Sequence, residues 1–224
     1  MGREMRRDGI AMIEELELEP ESHSYIWQGT RIPSCSEILG QVSKGFGFLS
    51  KEDLTFYQDR GHMVHKAIEL TLRGEMDKRS KGARDSLPYI ESWDYFVKDY
   101  GFEPFVDAEG PFCERRLVHP SYRYGVTPDV VGMVKKRLAV VEIKSTSAHS
   151  PLTGLQTAAQ ALAVRLYLPK PSLKLEDRYA VRLIPGKPPE VKQYKAPSDE
   201  GVFLSLLNVL SWKTANKITL KEIR

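Results

Sequence analysis

Two short apolar runs, Val130–Val134 and Leu138–Val141, flank the charged tripeptide Lys135-Lys136-Arg137, and a carboxylate stands at each outer end. Asp129 immediately precedes the first run, Glu142 follows the second, and Lys144 comes two residues later. β-Branched residues either side of a short polar turn predict two antiparallel strands. Period-2 alternation in the second strand puts Leu138, Val140, Glu142 and Lys144 on one face and Ala139, Val141 and Ile143 on the other. Both faces are apolar up to that point, so a carboxylate and an ammonium leave a strand that is otherwise buried. Ionised groups are costly to bury unless paired or bound to a metal. The pair is therefore a structural ion pair or part of a site.

Asp129 turns the argument toward a site. The predicted turn folds it back beside Glu142, and two converging carboxylates repel without a cation between them. Hard divalent ions such as Mg²⁺ are held by one or two carboxylates plus water and substrate phosphates. Lys144, on the same face, would orient or deprotonate a water, or neutralise charge on a phosphate.

The arrangement resembles the PD-(D/E)xK nuclease superfamily, with Pro128-Asp129 as the first half-motif and Glu142-Ile143-Lys144 as the second. Upstream, Gly61-x-x-x-His65 resembles the signature of the RecB-like branch. Downstream, Gln156-x-x-x-Gln160 resembles the Gln-x-x-x-Tyr helix of that branch, with Gln160 where the Tyr is usual. His23 to Leu39 is similar to the hairpin and short helix that open single-domain phage and mitochondrial RecB-like exonucleases.

The resemblance implies an α/β, restriction-endonuclease-like core, a mixed central β-sheet flanked by α-helices. It also implies Mg²⁺- or Mn²⁺-dependent hydrolysis of DNA phosphodiesters, as an exonuclease of recombination, repair or phage DNA processing. A structure-specific endonuclease and a non-catalytic nucleic-acid-binding protein on the same fold are the alternatives. By resemblance, Asp129, Glu142, the backbone carbonyl of Ile143 and His65 hold the metal, with Glu114 as a possible additional acid. Lys144 activates or positions the water, and Gln156 orients the lysine or touches DNA. A core histidine would be the ordinary explanation of His65, and a surface ion pair that of Glu114. Arg115, Arg116, Arg123, Lys135, Lys136 and Arg137 cluster around the motif and become candidates for phosphate contacts. Tyr122 and Tyr124 become candidates for base stacking, although plain packing explains them as well. A recombinase, annealing protein or helicase is the partner such an enzyme would have besides DNA.

Composition narrows the classes. With 224 residues the chain can build one domain with a sizeable core. Residues 1–20 read as a flexible arm and 21–224 as the single domain. Two cysteines, Cys35 and Cys113, cannot supply a four-cysteine iron–sulfur cluster. No P-loop pattern occurs, so no ATP site is expected. No apolar run is long enough for a membrane span and the charged start lacks a secretory leader, so the expected location is intracellular. A net charge of +3 does not by itself announce a nucleic-acid binder.

The remaining expectations are local. Hairpins are predicted around Gln28-Gly29 and the Pro185-Gly186 turn. A short helix is expected after Ser34 or Ser36, a loop at Gly45–Phe48, and helices over about 51–73, 86–100, 152–166 and 198–214. A strand over 112–118 would carry Glu114, and Trp27, Trp93 and Trp212 would pack in the core.

Overall fold

The computed structural model describes residues 16–19, 24–43, 51–146, 148–170 and 172–218. In chain order the elements are β1 (Leu16–Glu19), β2 (Ser24–Trp27), β3 (Thr30–Ile32), α1 (Cys35–Leu39), α2 (Lys51–Arg73), α3 (Lys81–Tyr100), β4 (Glu103–Pro104), β5 (Val106–Asp107) and β6 (Gly110–Pro111). They continue with β7 (Leu117–His119), β8 (Tyr124–Val126), β9 (Val130–Val134), β10 (Arg137–Lys144), α4 (Thr153–Tyr167), β11 (Asp177–Ile184), β12 (Lys187–Gln193) and α5 (Ser198–Ala215).

The predicted hairpin is the middle of a five-stranded sheet ordered β12-β11-β10-β9-β4. Lys135 and Lys136 both have positive φ, 49° and 64°, the conformation of a two-residue hairpin turn whose twist matches its strands. β10 pairs antiparallel with β9 and parallel with β11. A parallel neighbour needs a crossover, and α4 supplies it. The fold is thus α/β with a mixed central sheet flanked by helices, as expected.

The two faces of β10 divide the core as its alternation predicts. Leu138 and Val140 pack with α1, α4 and α5 through Ile38, Ala159, Ala163, Phe203 and Leu207. Ala139, Val141 and Ile143 pack with α2 and α3 through Val64, Ile68, Trp93 and Phe96. Each fully buried aliphatic side chain stabilises by about 1.5–3 kcal/mol, which gives this central strand ample support for the charges at its end. A separate sheet, β1-β2-β3, docks by laying the Tyr25 ring against Gly125 in β8, where an added Cβ would lie 2.2 Å from Cγ of Tyr25.

Gly132 makes a testable close approach. A Cβ there would sit 2.5 Å from both the Glu103 carbonyl oxygen and the Phe102 ring. Backbone of the adjoining strand cannot rotate away as a side chain would. Gly132→Ala is expected to cost about 2 kcal/mol or more in urea denaturation, and an unchanged midpoint would refute the close packing of β4 on β9.

Several expectations need correction. Leu16–Glu19 is not part of a loose arm but pairs with β2; the rest of the arm and the Gly45–Phe48 loop lie outside the described residues. The second long helix begins at Lys81, capped by the Ser80 hydroxyl, which accepts from the Ala83 N–H. The helix therefore starts five residues before the expected Ser86, and Pro88 sits inside it. The strand over 112–118 is broken: Glu114 has φ 51° and the chain bends there. Trp212 is 59% exposed rather than core. α5 faces the core through Phe203 and Leu207, and Trp212 falls off that stripe.

Candidate metal centre

Asp129 reaches the end of β10 from just before β9, as the hairpin requires. Its Oδ2 accepts a 2.6 Å hydrogen bond from the Ile143 N–H, and it is buried. Its Oδ1 lies 3.4 Å from Nδ1 of His65 on α2. Glu114 completes a triangle, with Oε1 3.2 Å from the same Nδ1. One ligand atom from each of His65, Glu114 and Asp129 lies within 4.8 Å of the others. The bend that places Glu114 is held by tertiary contacts, since its N–H donates to the carbonyls of Pro128 and Asp129. A left-handed backbone at a non-glycine residue is costly and clusters at functional sites.

The other side of the imidazole meets the main chain, with Nε2 3.1 Å from the Ile143 carbonyl oxygen. A carbonyl only accepts, so Nε2 carries a proton, and Nδ1 faces two carboxylates. Burial would push His65 down, but the charges and hydrogen bonds of Asp129 and Glu114 hold it well above the ordinary imidazole range. A bound metal ion would take the place of any proton on Nδ1.

One imidazole nitrogen, Nδ1, and two carboxylates suit a hard or borderline divalent ion. Ligands about 2.1 Å from one octahedral ion lie about 3 Å apart when adjacent, near the separations found here. His65 through Nδ1, Glu114 and Asp129 therefore fit a Mg²⁺ or Mn²⁺ centre, whereas the Ile143 carbonyl, expected as a further ligand, lies across the imidazole at Nε2.

Glu142 lies outside that triangle. It is 1% exposed, and both its oxygens are engaged. Oε1 accepts from the Lys144 ammonium and from the Gln156 amide, each at 2.7 Å. Oε2 accepts from the Gln160 amide at 2.6 Å. Lys144 also donates to Oε1 of Gln156 at 3.1 Å. Burial, then the charge of Asp129, pushes the Glu142 carboxyl up, against the pull of Lys144 and Gln160. Burial would push Lys144 down, but Glu142 and Asp129 hold it above its usual range. Lys144 is accordingly a fixed cation, suited to orienting a water or balancing phosphate charge rather than to taking a proton.

The candidate DNA contacts divide. Arg116, Tyr122 and Arg123 are exposed. Tyr122 stacks 4.4 Å from His119, and Arg123 lies over the Trp27 ring. Arg115 is not a free phosphate contact: its guanidinium is bidentate on Asp107, at 2.6 and 2.7 Å, and bonds the Gly110 carbonyl. Tyr124 cannot stack on a base, because it is fully buried and donates to the Ala159 carbonyl. Arg137 is the first residue of β10 and pairs with Asp177. The sequence reading missed two connections. Arg60 donates to the Ser145 carbonyl, tying α2 to the residue after Lys144. Gln160 contacts Glu142 directly, and its spacing of four from Gln156 was the available signal.

No protein-family model matches this chain, and none of the curated proteins matches it. Among the described residues no helix is long and apolar enough to cross a membrane.

Proposed function

We propose that this protein is a metal-dependent deoxyribonuclease of the PD-(D/E)xK superfamily, acting as an exonuclease in recombination, repair or phage DNA processing. The convergence of His65, Glu114 and Asp129 beside the Ile143 carbonyl, one residue from the Lys144 ammonium, carries the reading. These residues come from α2, the β6–β7 connection, the residue before β9 and the end of β10, so distant parts of the chain meet at the cluster. His65, Glu114 and Asp129 would hold Mg²⁺ or Mn²⁺. Such an ion supplies a water of lowered pKa and stabilises charge building on the phosphoryl oxygens.

The chain's own residues do the rest. Asp129 accepts from the Ile143 N–H and so fixes its own carboxylate against the end of β10. Lys144, kept charged by Glu142, places a fixed cation where the attacking water or a phosphate oxygen would lie. Glu142 adds negative charge beside Asp129. Arg116, Tyr122 and Arg123 present an exposed basic and aromatic edge for the nucleic-acid backbone and bases. A recombinase, annealing protein or helicase would supply DNA ends to such an enzyme.

The test is digestion of end-labelled linear single-stranded, linear duplex and closed circular DNA with Mg²⁺, Mn²⁺ or EDTA. Metal-dependent loss of linear DNA alone is expected. Nicked circles would replace the exonuclease with an endonuclease. Binding without cleavage by folded protein would replace the enzyme with a nucleic-acid-binding protein.

A further inference from the structure

A deeply buried polar contact ties α4 to the second half-motif. Gln160 on α4 is 1% exposed and donates a 2.6 Å hydrogen bond to Oε2 of Glu142. That contact fixes the orientation of its amide, since the reverse would set two acceptors against each other. Its own Oε1 is buried with no hydrogen-bond partner. A buried amide left half-satisfied is unfavourable for folding, so packing and stability do not account for it. The neighbours on its helix, Ala159, Ala161 and Ala163, are small and apolar. A methionine or leucine would suit that setting better.

The donor count on Glu142 shows what the amide does. Oε1 is shared by Lys144 and Gln156, and among the described residues Gln160 is the one side chain donating to Oε2. Gln160 therefore fixes the rotation of the carboxylate about its own axis. That rotation decides where Oε1 lies, and Oε1 is the anchor of the Lys144 ammonium. A lysine head on a four-carbon stem has many rotamers and takes a single position only when something holds it. We infer that Gln160 is a positioning residue, which clamps Glu142 from the side opposite Lys144 and through it fixes the lysine ammonium beside the reacting phosphate. Gln156, which touches both Glu142 and Lys144, completes the clamp. The inference rests on the nuclease reading and deepens it.

Gln160→Met removes the donor at nearly constant volume, and Gln160→Asn withdraws it by one methylene. Cleavage of linear DNA is measured against Mn²⁺ and against DNA concentration, with thermal melting to confirm folding. The expected result for both is a fall in kcat of about 10- to 100-fold, the scale of a lost hydrogen bond to a charged group or of a misplaced catalytic group. Half-saturating Mn²⁺ and KM for DNA should stay within about twofold of wild type, since His65, Glu114 and Asp129 are untouched. A structural role alone would lower the melting temperature and leave kcat per folded molecule unchanged, which would overturn the inference. A rise in half-saturating Mn²⁺ at constant kcat would overturn it too, by placing Glu142 at the metal rather than at the lysine. If wild-type protein cleaves no DNA with Mn²⁺, the nuclease reading fails and this one with it. If wild type cleaves and both variants match it in kcat, the clamp alone fails.

Discussion

Asp129→Asn will abolish metal-dependent DNA hydrolysis while leaving the protein folded. The aspartate has two separable jobs. Oδ2 receives the Ile143 N–H, and Oδ1 faces His65 in the group that would hold the ion. Asparagine keeps one acceptor for the buried N–H and removes the negative charge. Losing that charge weakens both the hold on the ion and the field that stabilises the phosphoryl transition state. Several kcal/mol of such stabilisation correspond to a loss of about a thousandfold or more in kcat/KM. Asp129→Ala is the less informative variant, since it also strands the Ile143 N–H, at a cost of about 1–3 kcal/mol. Removing a carboxylate from an acidic cluster is often stabilising, and the sequence alone suggests that outcome for alanine here. The hydrogen bond to Ile143 reverses it. Linear-DNA digestion alongside thermal melting separates the two variants, and an Asp129→Asn protein as active as wild type would end the metal-centre assignment.

How much of this was legible from residues alone follows from which forces are local. The central hairpin could be read because both runs are apolar and β-branched, and the alternation of β10 assigned every side chain from Leu138 to Lys144 to the correct face. Helix α2 could be read end to end, because Gly74, at φ 72°, stops it where its pattern ends. The start of α3 could not, because its cap, Ser80, lies in a charged, polar stretch with no apolar periodicity. Glu114 is the harder case. Nothing local forces a left-handed backbone on a glutamate; the carbonyls of Pro128 and Asp129 do, and they arrive from distant sequence. The inward turn of Tyr124 depends likewise on the α4 carbonyl that receives its hydroxyl. The motif therefore announced the chemistry, while the partners that hold each group became visible only with the chain folded.

Lys144→Met should lower hydrolysis by about 10²- to 10⁴-fold, the range lost when a positioned proton-handling or charge-balancing group is removed. Its half-saturating metal concentration should change little, because the ammonium takes no part in the His65–Glu114–Asp129 triangle. The same substitution has a second, opposed signature in stability. It leaves Glu142 buried with amide donors but no cation, and breaking a buried pair is costly because one charge remains. Burial and Asp129 already hold the Glu142 carboxyl above its ordinary range, and Lys144 is the main force against them. Without it the folded carboxyl binds its proton still more tightly than the unfolded chain does. A proton held tighter in the folded state stabilises at low pH, and that contribution is lost as pH rises through the raised folded value. The stability deficit of Lys144→Met against wild type should therefore be small at the acid end of the carboxylate range and grow toward neutral pH. Urea denaturation at a series of pH values tests this. A deficit independent of pH would show that the lysine stem is doing the packing and that Glu142 does not carry the charge assigned to it.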